Sequence, residues 1–475
     1  MKNNIHHHPP DRPSIVVIGA GVAGQATGNL LRQTGRERGV EPDITILEAL
    51  PEPGGATRTD FLDGYTCEWG PNGFLDNEPS TLSLVERLGL ADSLLCANPR
   101  ASRRFIYHGG RMREVPLSPP AFLKSNILPL GAKLRLALEF FIPPLQGNID
   151  ETVDQFGRRR LGGAFATCLL DPMVSGIFAG NSRELSLAAV FPKMAALEKT
   201  YGGLFKAMIA RKREARRSGE SKPGGPAGPG GKLLTFKNGM GQLTRTLAAE
   251  LEGVVLNSAE AVTLLAEQGR YVVKTVDSRF EAEAVVLACP AHAAARIIHD
   301  LSLETALAAG DIPFAPVSVV CHGHPAAGLN HDLDGFGVLI PRAEGIRSLG
   351  CLWPDSIFPG QAPSGFKLLR TMIGGAHDPG ISGLTEAELH AIAQHDHTRL
   401  FGVRAEPVFK HTYIHPRGIA QYTRGHLDRV KALDRLEREL PGLFFTGASY
   451  RGVSVNGCVK DAFRINNLFW DRWRR

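Results

Sequence analysis

The chain has 475 residues, 43% of them hydrophobic and 21% charged, which is typical of a soluble globular protein with two or three domains. Its net charge of +6 comes from dispersed lysines and arginines, so nucleic acid is disfavoured and only weak attraction to anionic substrates or lipid surfaces is expected. Seven scattered cysteines without a C-x-x-C pair indicate a reducing cytosol. Signal-peptide and membrane-spanning patterns are missing, so we expect neither secretion nor a membrane span.

The N-terminal part of the sequence predicts one βαβ unit. Residues 1–13 lack apolar periodicity and are expected to be a disordered leader. A continuous apolar run from Ser14 predicts a buried parallel strand, which leads through glycines into a helix reaching Leu31. A second strand is predicted at Asp43–Leu47.

The middle of the chain is mixed. Helices are predicted at residues 81–90, 132–142 and 185–199, with proline-rich interruptions at 116–120 and 143–144. Residues 211–231 combine a basic run with a Gly/Pro-rich stretch that has almost no apolar side chain to bury. This segment is predicted to be a mobile surface loop.

The last half of the chain returns to strand patterns. Strands are predicted at residues 254–256, 271–276, 284–290 and 442–447, with a helix in 235–251 and another from the last strand to the C-terminus. The first and last βα units are expected to share one sheet, so that the nucleotide-binding domain is assembled from distant segments.

A glycine motif lies where the first strand meets the first helix. Gly19 permits a tight turn, Gly21 lets the backbone approach a pyrophosphate, and Gly24 allows the helix to pack on the strand. Helix N-terminal N–H groups bind the phosphates. Glu48 ends the second strand, where an acidic side chain accepts hydrogen bonds from ribose hydroxyls and repels a 2′-phosphate. The motif predicts a dinucleotide site.

Two further segments decide between FAD and NAD by resemblance. Residues 53–59, P-G-G-A-T-R-T, resemble the second glycine-rich segment of the large flavoprotein group that includes monoamine oxidases and phytoene desaturases. Residues 447–457, G-A-S-Y-R-G-V-S-V-N-G, resemble the segment of that group that returns to the flavin ring. The resemblance implies non-covalently bound FAD.

Longer segments resemble the protoporphyrinogen oxidases within that group. They cover residues 68–74, 170–186, 236–243, 421–426 and the C-terminal segment. The implied fold class is α/β, with a discontinuous Rossmann-type FAD-binding domain, a mixed α+β substrate domain and a mainly helical membrane-associating domain. The expected boundaries are 14–80, 232–300 and 432–475 for the first, 81–104 and 301–431 for the second, and 105–210 for the third.

The resemblance also implies which residues contact FAD. These are Gly19, Ala20, Gly21, Val22, Ala23, Gly24, Glu48, Gly55, Ala56, Arg58, Gly70, Pro71, Asn72, Gly73, Val255, Ala448, Val453, Ser454 and Val455. Relatives often carry a small hydroxylic residue at the position of Gly73, so its contact is expected to come from the backbone.

Substrate contacts are implied at fewer positions. Arg104 aligns with the family's arginine that holds a propionate carboxylate, with Arg103 as the alternative, and guanidinium suits this role because it can bind bidentately. Phe336 and Leu339 resemble the pair that clamps a pyrrole ring, although apolar residues at this spacing are also typical of a core. Weaker candidates for the cavity are Asn72, Met372 and Gly180.

The implied reaction is oxidation of protoporphyrinogen IX to protoporphyrin IX, with O2 accepting six electrons and yielding three hydrogen peroxide. No acid or base residue is required, because the cofactor performs the oxidation. Alternatives are coproporphyrinogen III oxidation, an amine oxidase or carotenoid desaturase, and a non-enzymatic flavin-binding protein. Ferrochelatase or a second copy of the chain are candidate protein partners, and no nucleic acid partner is expected.

Two further patterns bear on metals and membranes. The motifs Cys321-His-Gly-His324 and His395-Asp-His397 hint at a metal, but residues two apart lie on different faces of a helix, so no metal is predicted. Residues 119–145 are rich in Leu, Phe, Ile and Pro, and Lys133 and Arg135 are expected to extend toward lipid headgroups. With the resemblance, this predicts a cytoplasmic protein attached peripherally to the inner membrane.

Overall fold

The computed structural model of the protein describes residues 12–116, 118–147, 149–218 and 231–473. Most of the predicted leader, residues 1–11, and the Gly/Pro-rich part of the predicted loop, residues 219–230, therefore lie outside the described residues. No helix within these ranges combines the length and the apolar character needed to cross a bilayer.

The strands of the described ranges are numbered in chain order. They are β1 (Ser14–Ile18), β2 (Asp43–Leu47), β3 (Thr59–Leu62), β4 (Tyr65–Glu68), β5 (Phe74–Leu75), β6 (Leu94–Cys96), β7 (Phe105–Tyr107), β8 (Met112–Glu114), β9 (Leu233–Phe236), β10 (Val255–Leu256), β11 (Ala261–Glu267), β12 (Arg270–Thr275), β13 (Arg279–Ala282), β14 (Ala284–Leu287), β15 (Phe314–Pro325), β16 (Gly337–Leu339), β17 (Ser348–Leu352), β18 (Phe366–Gly374), β19 (Phe409–Ala420) and β20 (Leu443–Phe445).

The helices are numbered in the same way. They are α1 (Val22–Glu37), α2 (Pro79–Arg87), α3 (Pro119–Lys124), α4 (Leu130–Ala137), α5 (Val153–Arg160), α6 (Gly163–Phe165), α7 (Asp171–Phe178), α8 (Leu187–Val190), α9 (Pro192–Tyr201), α10 (Leu204–Ser218), α11 (Gly241–Glu250), α12 (Ala291–Ile297), α13 (Leu303–Gly310), α14 (Pro354–Ile357), α15 (Glu386–Phe401), α16 (His426–Glu439) and α17 (Val455–Trp473). A 3-10 turn, Leu138–Phe141, follows α4, and a π-helical turn, Ala166–Leu170, joins α6 to α7.

A parallel sheet gathers strands from distant parts of the chain, in the order β10-β2-β1-β14-β20. Every residue of β1 is buried, as its continuous apolar run predicts for a central parallel strand. Val17 lies between Ile46 of β2 and Val286 of β14. The prediction that the first and last βα units share one sheet is confirmed.

A mixed sheet holds the second set of strands, in the order β19-β15-β18-β17-β16-β7-β8. Its pairs are antiparallel except β16 with β7. Successive side chains of β15 point to opposite faces. Val319 packs in a cluster with Tyr65 and Cys67 of β4, whereas Val320 packs with Leu389 of α15. The sheet therefore has one face toward β4 and one face toward α15.

Two predicted segments differ from the structure in the helical region. The loop predicted at 211–231 begins as a helix, because α10 continues through Ser218, with Ala207 buried and the basic residues from Arg211 to Arg213 exposed. Arg211, Lys212 and Arg213 of the basic run are therefore solvated residues of a helix and not of a loop. The helix predicted at 185–199 is split into α8 and α9, since Pro192 lacks an N–H donor and begins a new helix.

Residues 119–145 expose large apolar side chains, namely Leu123, Leu130, Leu134, Leu138, Phe140 and Phe141. The expectation that Lys133 and Arg135 extend toward headgroups is wrong for the conformation described. Lys133 Nζ donates to Leu123 O at 2.7 Å and to Ser125 O at 2.6 Å, and Arg135 donates to Arg159 O at 2.6 Å. Both cations satisfy backbone carbonyls instead.

A fully buried ion pair ties this region together. Glu139, in the 3-10 turn, accepts a hydrogen bond from Arg160 of α5 at 2.5 Å and others from the N–H groups of Leu204 and Phe205 at the start of α10. Arg160 also donates to Ile142 O at 2.8 Å. The pair therefore fixes α5 and α10 against the turn that carries Phe140 and Phe141.

We predict that Glu139→Ala destabilises the protein by about 3–5 kcal/mol, because it removes the nearest carboxylate from a buried guanidinium. Differential scanning calorimetry or chemical unfolding measures the change. Asp428→Ala serves as the control, since it breaks the exposed pair with Lys431 and should leave the unfolding temperature unchanged. Equal unfolding temperatures for the two variants would contradict the role assigned to the buried pair.

Candidate cofactor and substrate site

The turn between β1 and α1 leaves open space beside Gly21. Gly19 has a φ of +104°, a conformation that favours glycine, and its N–H donates to Leu47 O. Gly21 caps α1 without a side-chain hydrogen bond, and a Cβ on Gly21 would meet no atom within 4 Å. A Cβ on Gly24 would lie 1.9 Å from Gly19 O. Gly21 thus leaves room for a phosphate at the helix N-terminus, while Gly24 permits close packing of α1.

The residues between these glycines contribute through their backbones. Ala20 and Ala23 are buried, and Val22 is half-buried. The Glu48 carboxylate accepts hydrogen bonds from Ala20 N–H at 2.7 Å and Leu50 N–H at 2.9 Å. Each carboxylate oxygen has a second lone pair, so Glu48 can still accept a hydroxyl donor.

A second glycine turn packs against the first. Gly54 N–H donates to Ala20 O at 2.8 Å, and a Cβ on Gly55 would lie 3.3 Å from Gly21 Cα. Ala56, next in the chain, is exposed, and Arg58 lies with its guanidinium carbon 4.2 Å from the ring centroid of Trp69 while pairing with Glu52. Arg58 is therefore held beside the two turns.

The segment from Gly70 to Gly73 lies between Ala56 and β9. A Cβ on Gly70 would lie 2.6 Å from Ala56 O, and one on Gly73 would lie 2.6 Å from Leu234 O. These close contacts explain glycine at both positions and agree with a backbone contact at Gly73. Between them, Pro71 is half-buried, and Asn72 Nδ2 is buried without a hydrogen-bond partner among the described residues. An unpaired buried amide donor suits a bound polar ligand.

The remaining candidate residues lie at a strand and a helix start. Val255 of β10 pairs with Ile46 of β2. Ile46 lies one residue before the end of β2, and Glu48 follows that end directly. Ala448, Val453, Ser454 and Val455 precede or begin α17, and Ser454 Oγ accepts from Gly457 N–H.

Arg104 has a different environment from its neighbour Arg103. Arg103 forms ion pairs with Glu114 and Asp334. Arg104 has no carboxylate partner within the part of the chain that the structure describes, and its guanidinium carbon lies 5.4 Å from the ring centroid of Phe336. Its side chain is open to solvent, yet the surrounding protein lowers its pKa by desolvation. Of the two arginines, Arg104 is available to bind a carboxylate.

A cross-strand row relates the other substrate candidates. Leu339 of β16 lies opposite Gly350 of β17, and Gly350 lies opposite Met372 of β18. Directly paired residues share a face of a sheet, so Leu339 and Met372 lie on one face with a glycine between them. Met372 packs against the cluster that contains Val319 and Ala179, next to Gly180. The sheet thus brings Leu339, Met372 and the end of α7 to one side.

Sequence reasoning missed three positioning residues. Arg370 is buried and donates to Glu68 O and Gly70 O. Tyr422 Oη donates to Ala448 O at 2.8 Å and accepts from Gly452 N–H at 2.9 Å, so it fixes the turn before α17. Gln421 donates to Phe178 O. Its buried Oε1 has no hydrogen-bond partner among the described residues and lies 2.7 Å from the position that a Cβ on Gly180 would take. Residues 421–426 were a matching motif, which was a signal for two of them.

Comparison with known proteins identifies the relatives of this arrangement. The profile of the family described as flavin containing amine oxidoreductase matches residues 22–466. The chain is 29% identical over 470 residues to the chloroplastic protoporphyrinogen oxidase of Nicotiana tabacum, covering 95% of this chain and 84% of that protein. It is 28% identical over 455 residues to the coproporphyrinogen III oxidase of Bacillus subtilis, covering 94% and 95%.

A solved structure shares the fold. It comes from Exiguobacterium sp. and is provisionally described as a protoporphyrinogen oxidase. Its TM-score is 0.81 at 24% sequence identity, covering 96% of this chain and 98% of that chain. The predicted α/β flavoenzyme fold is therefore confirmed.

The two glycines of the first turn give a matched pair of variants. We predict that Gly21→Ala keeps the fold and weakens FAD binding about tenfold or more, about 1.4 kcal/mol, because its methyl group enters space left for a phosphate. Gly24→Ala should instead destabilise the protein by about 1–3 kcal/mol through overpacking against a backbone oxygen. Fluorescence titration of the apoprotein and thermal unfolding measure the two effects. A Gly21→Ala variant with wild-type FAD affinity would contradict the placement.

Proposed function

The chain belongs to the family of flavin-containing amine oxidoreductases and has FAD as its cofactor, and from this premise we propose that it oxidises protoporphyrinogen IX to protoporphyrin IX. The observation that carries the proposal is the Arg104 guanidinium, which lies over Phe336 without a carboxylate partner in the described ranges. A flat aromatic surface next to an uncompensated cation suits an apolar macrocycle with propionate side chains.

The residues of the two glycine turns fit the cofactor. The open N-terminus of α1 at Gly21 would hold the pyrophosphate, and Glu48 would accept the ribose hydroxyls through its remaining lone pairs. The unpaired Asn72 amide and the turn before α17 would lie along the ring system. The chemistry supplied by bound FAD is two-electron oxidation of a carbon centre.

The protein's own residues would bind and orient the substrate. Arg104 would bind a propionate carboxylate, which fixes one edge of the macrocycle. Phe336, Leu339 and Met372 would pack against its pyrrole rings. Apolar contacts of this kind exclude water from the rings and do not impose a hydrogen-bonding orientation on them. Gln421, whose buried Oε1 lacks a described partner, would accept a hydrogen bond from a pyrrole N–H. No side chain is assigned as acid or base.

The overall reaction balances with molecular oxygen. Protoporphyrinogen IX loses six electrons and six protons in three oxidations, and three O2 become three hydrogen peroxide. The enzyme class is then an oxygen-dependent oxidoreductase that acts on CH–CH bonds. The name of the tobacco relative supports this assignment.

Coproporphyrinogen III is the second candidate substrate. The Bacillus subtilis relative, described as a coproporphyrinogen III oxidase, is about as similar as the tobacco one and is covered along 95% of its length. That substrate has four carboxylates instead of two, so more than one basic residue would be expected to bind it. In the R-R-F-I segment, Arg103 is already neutralised by Glu114 and Asp334, which favours the substrate with fewer carboxylates.

We predict a higher kcat/KM for protoporphyrinogen IX than for coproporphyrinogen III when both are assayed side by side by porphyrin fluorescence.

Arg104→Ala should raise KM about ten- to a hundredfold with a smaller effect on kcat, since a charge-assisted hydrogen bond remote from the reacting carbon contributes about 1.5–3 kcal/mol. Arg103→Ala is the matched control and should change KM little.

Three outcomes would count against these assignments. No oxidation of either porphyrinogen by protein with full FAD occupancy would refute the function. A preference for coproporphyrinogen III would make that molecule the substrate in place of protoporphyrinogen IX. Equal KM values for Arg104→Ala and the wild type would remove the carboxylate contact from Arg104.

We also propose that the protein attaches peripherally to an anionic membrane surface, on the side of the membrane that faces the cytoplasm. The support is the apolar surface of residues 119–145, on which Leu130 and Phe141 are 74% and 76% exposed. The basic helix α10 packs on the 3-10 turn that carries Phe141, and Lys206 lies over the ring of Phe140. Apolar side chains beside a basic helix are typical of interfacial binding.

We predict that the wild type floats with anionic liposomes and that Leu134→Ser/Phe141→Ser remains in the soluble fraction. The matched control is Leu303→Ser/Leu307→Ser, which removes two leucines of 55% and 60% exposure from α13 and should float like the wild type. The apolar surface of 119–145 would have no membrane role if all three proteins behaved alike.

A further inference from the structure

Three buried histidines meet between the mixed sheet and α15. His322 and His324 lie on β15, and His397 lies on α15. Residues two apart lie on different faces of a helix, whereas on a strand such as β15 they share a face. The exposed His395, two residues before His397, takes no part in the cluster. Strand β15 therefore places His322 and His324 on one face, where His397 of α15 joins them.

The ring nitrogens of the three histidines are close together. One nitrogen from each of His322, His324 and His397 lies within 4.8 Å of the other two. All three residues are at most 1% exposed. Each ring also has a buried nitrogen without a hydrogen-bond partner among the described residues, namely His322 Nδ1, His324 Nε2 and His397 Nδ1. Unpaired buried nitrogens are costly unless a ligand satisfies them.

Neighbouring groups hold the outer nitrogens of two rings. His322 Nε2 lies 2.9 Å from His390 Nδ1, and His390 Nε2 lies 3.2 Å from Thr412 Oγ1. His397 Nε2 lies 2.6 Å from Thr371 Oγ1. When these Nε2–H groups donate outward, each Nδ1 keeps its lone pair. Metal-binding histidines are oriented in this way by a second hydrogen bond.

The chemistry of the cluster selects a class of ion. Burial lowers the pKa of His322 to about 2, of His324 to about 4 and of His397 to about 3, so the rings are neutral and able to coordinate. Lys410 and Glu406 are charged groups that act on this face, and they pair with each other at 2.7 Å. Three imidazoles without a carboxylate suit zinc-like ions better than calcium or magnesium.

We propose that His322, His324 and His397 bind one divalent transition-metal ion of the zinc class, which fastens α15 to the mixed sheet. Small side-chain adjustments bring the three nitrogens to metal–nitrogen distances of about 2.0–2.1 Å. A water molecule takes the fourth tetrahedral position. The ion lies on the face of the sheet opposite Met372 and Val319, so its role is to stabilise the sheet and not to react with substrate.

The test uses the full chain with His6, His7 and His8 replaced by alanine, so that the leader contributes no metal ligands. After purification without a metal column and dialysis, elemental analysis should find about one equivalent of zinc. Replacement by Co2+ should give the ligand-field absorption of a tetrahedral site. Chelation should lower the unfolding temperature by several degrees, and added Zn2+ should restore it, because a ligand that binds the folded state stabilises it.

Variants then locate the ion. His324→Gln and His397→Gln should each lose the bound metal and the Zn2+-dependent shift in unfolding temperature. His395→Gln, on the same helix but exposed, should keep both. The proposal is overturned if the parent chain binds neither zinc nor cobalt and its unfolding temperature does not change when chelator or Zn2+ is added. This measurement on the parent decides the question even where a histidine variant fails to fold.

Discussion

The packing of the Gly54–Gly55 turn against the Gly19–Gly24 turn is the contact on which the rest of the site depends. Gly54 N–H donates to Ala20 O at 2.8 Å, and a Cβ on Gly55 would lie 3.3 Å from Gly21 Cα, so the two backbones are in direct contact. This contact fixes where the chain enters β3 and β4. Because the mixed sheet packs on β4 through Tyr65 and Cys67, the position of the substrate residues follows from it. The candidate cofactor and substrate residues are therefore connected through this one backbone contact.

How much the sequence could predict depended on whether the determining pattern was local. The apolar run of β1 and the glycine motif after it define strand, turn and helix start within a few residues, and these were predicted correctly. The helix end was not, since α1 continues to Glu37, six residues beyond the predicted Leu31. Arg103 and Arg104 could not be separated, because the decisive partner Asp334 lies far along the chain. Lys133 and Arg135 have charges that suit a membrane surface, but both donate hydrogen bonds to backbone carbonyl groups. The positions of these carbonyl groups depend on the tertiary fold, so the sequence could not predict the contacts. The histidine cluster needed the knowledge that its first two members lie on a strand.

Charge pairing distinguishes Arg104 from the other arginines of the candidate substrate region. Most arginines near it are satisfied: Arg103 by two carboxylates and Arg370 by backbone carbonyls. Arg104 is left with an aromatic ring, which offers weak attraction and cannot neutralise the charge. A substrate carboxylate that replaces water there gains a hydrogen-bonded ion pair, and a substrate without a carboxylate gains nothing. The proposed substrate class, an anionic macrocycle, fits this uncompensated cation.

The helical region connects the exposed apolar surface to the substrate row by direct packing. α4, which carries Leu134, packs on α6, and α6 continues through the π-helical turn into α7. α7 packs on β16 so closely that a Cβ on Gly176 would lie 2.4 Å from Leu339 Cδ2. The buried Glu139–Arg160 pair fixes α5 to the 3-10 turn that follows α4. Residues 119–145 and Leu339 are consequently linked by a continuous series of packed elements, namely α4, α6, the π-helical turn and α7.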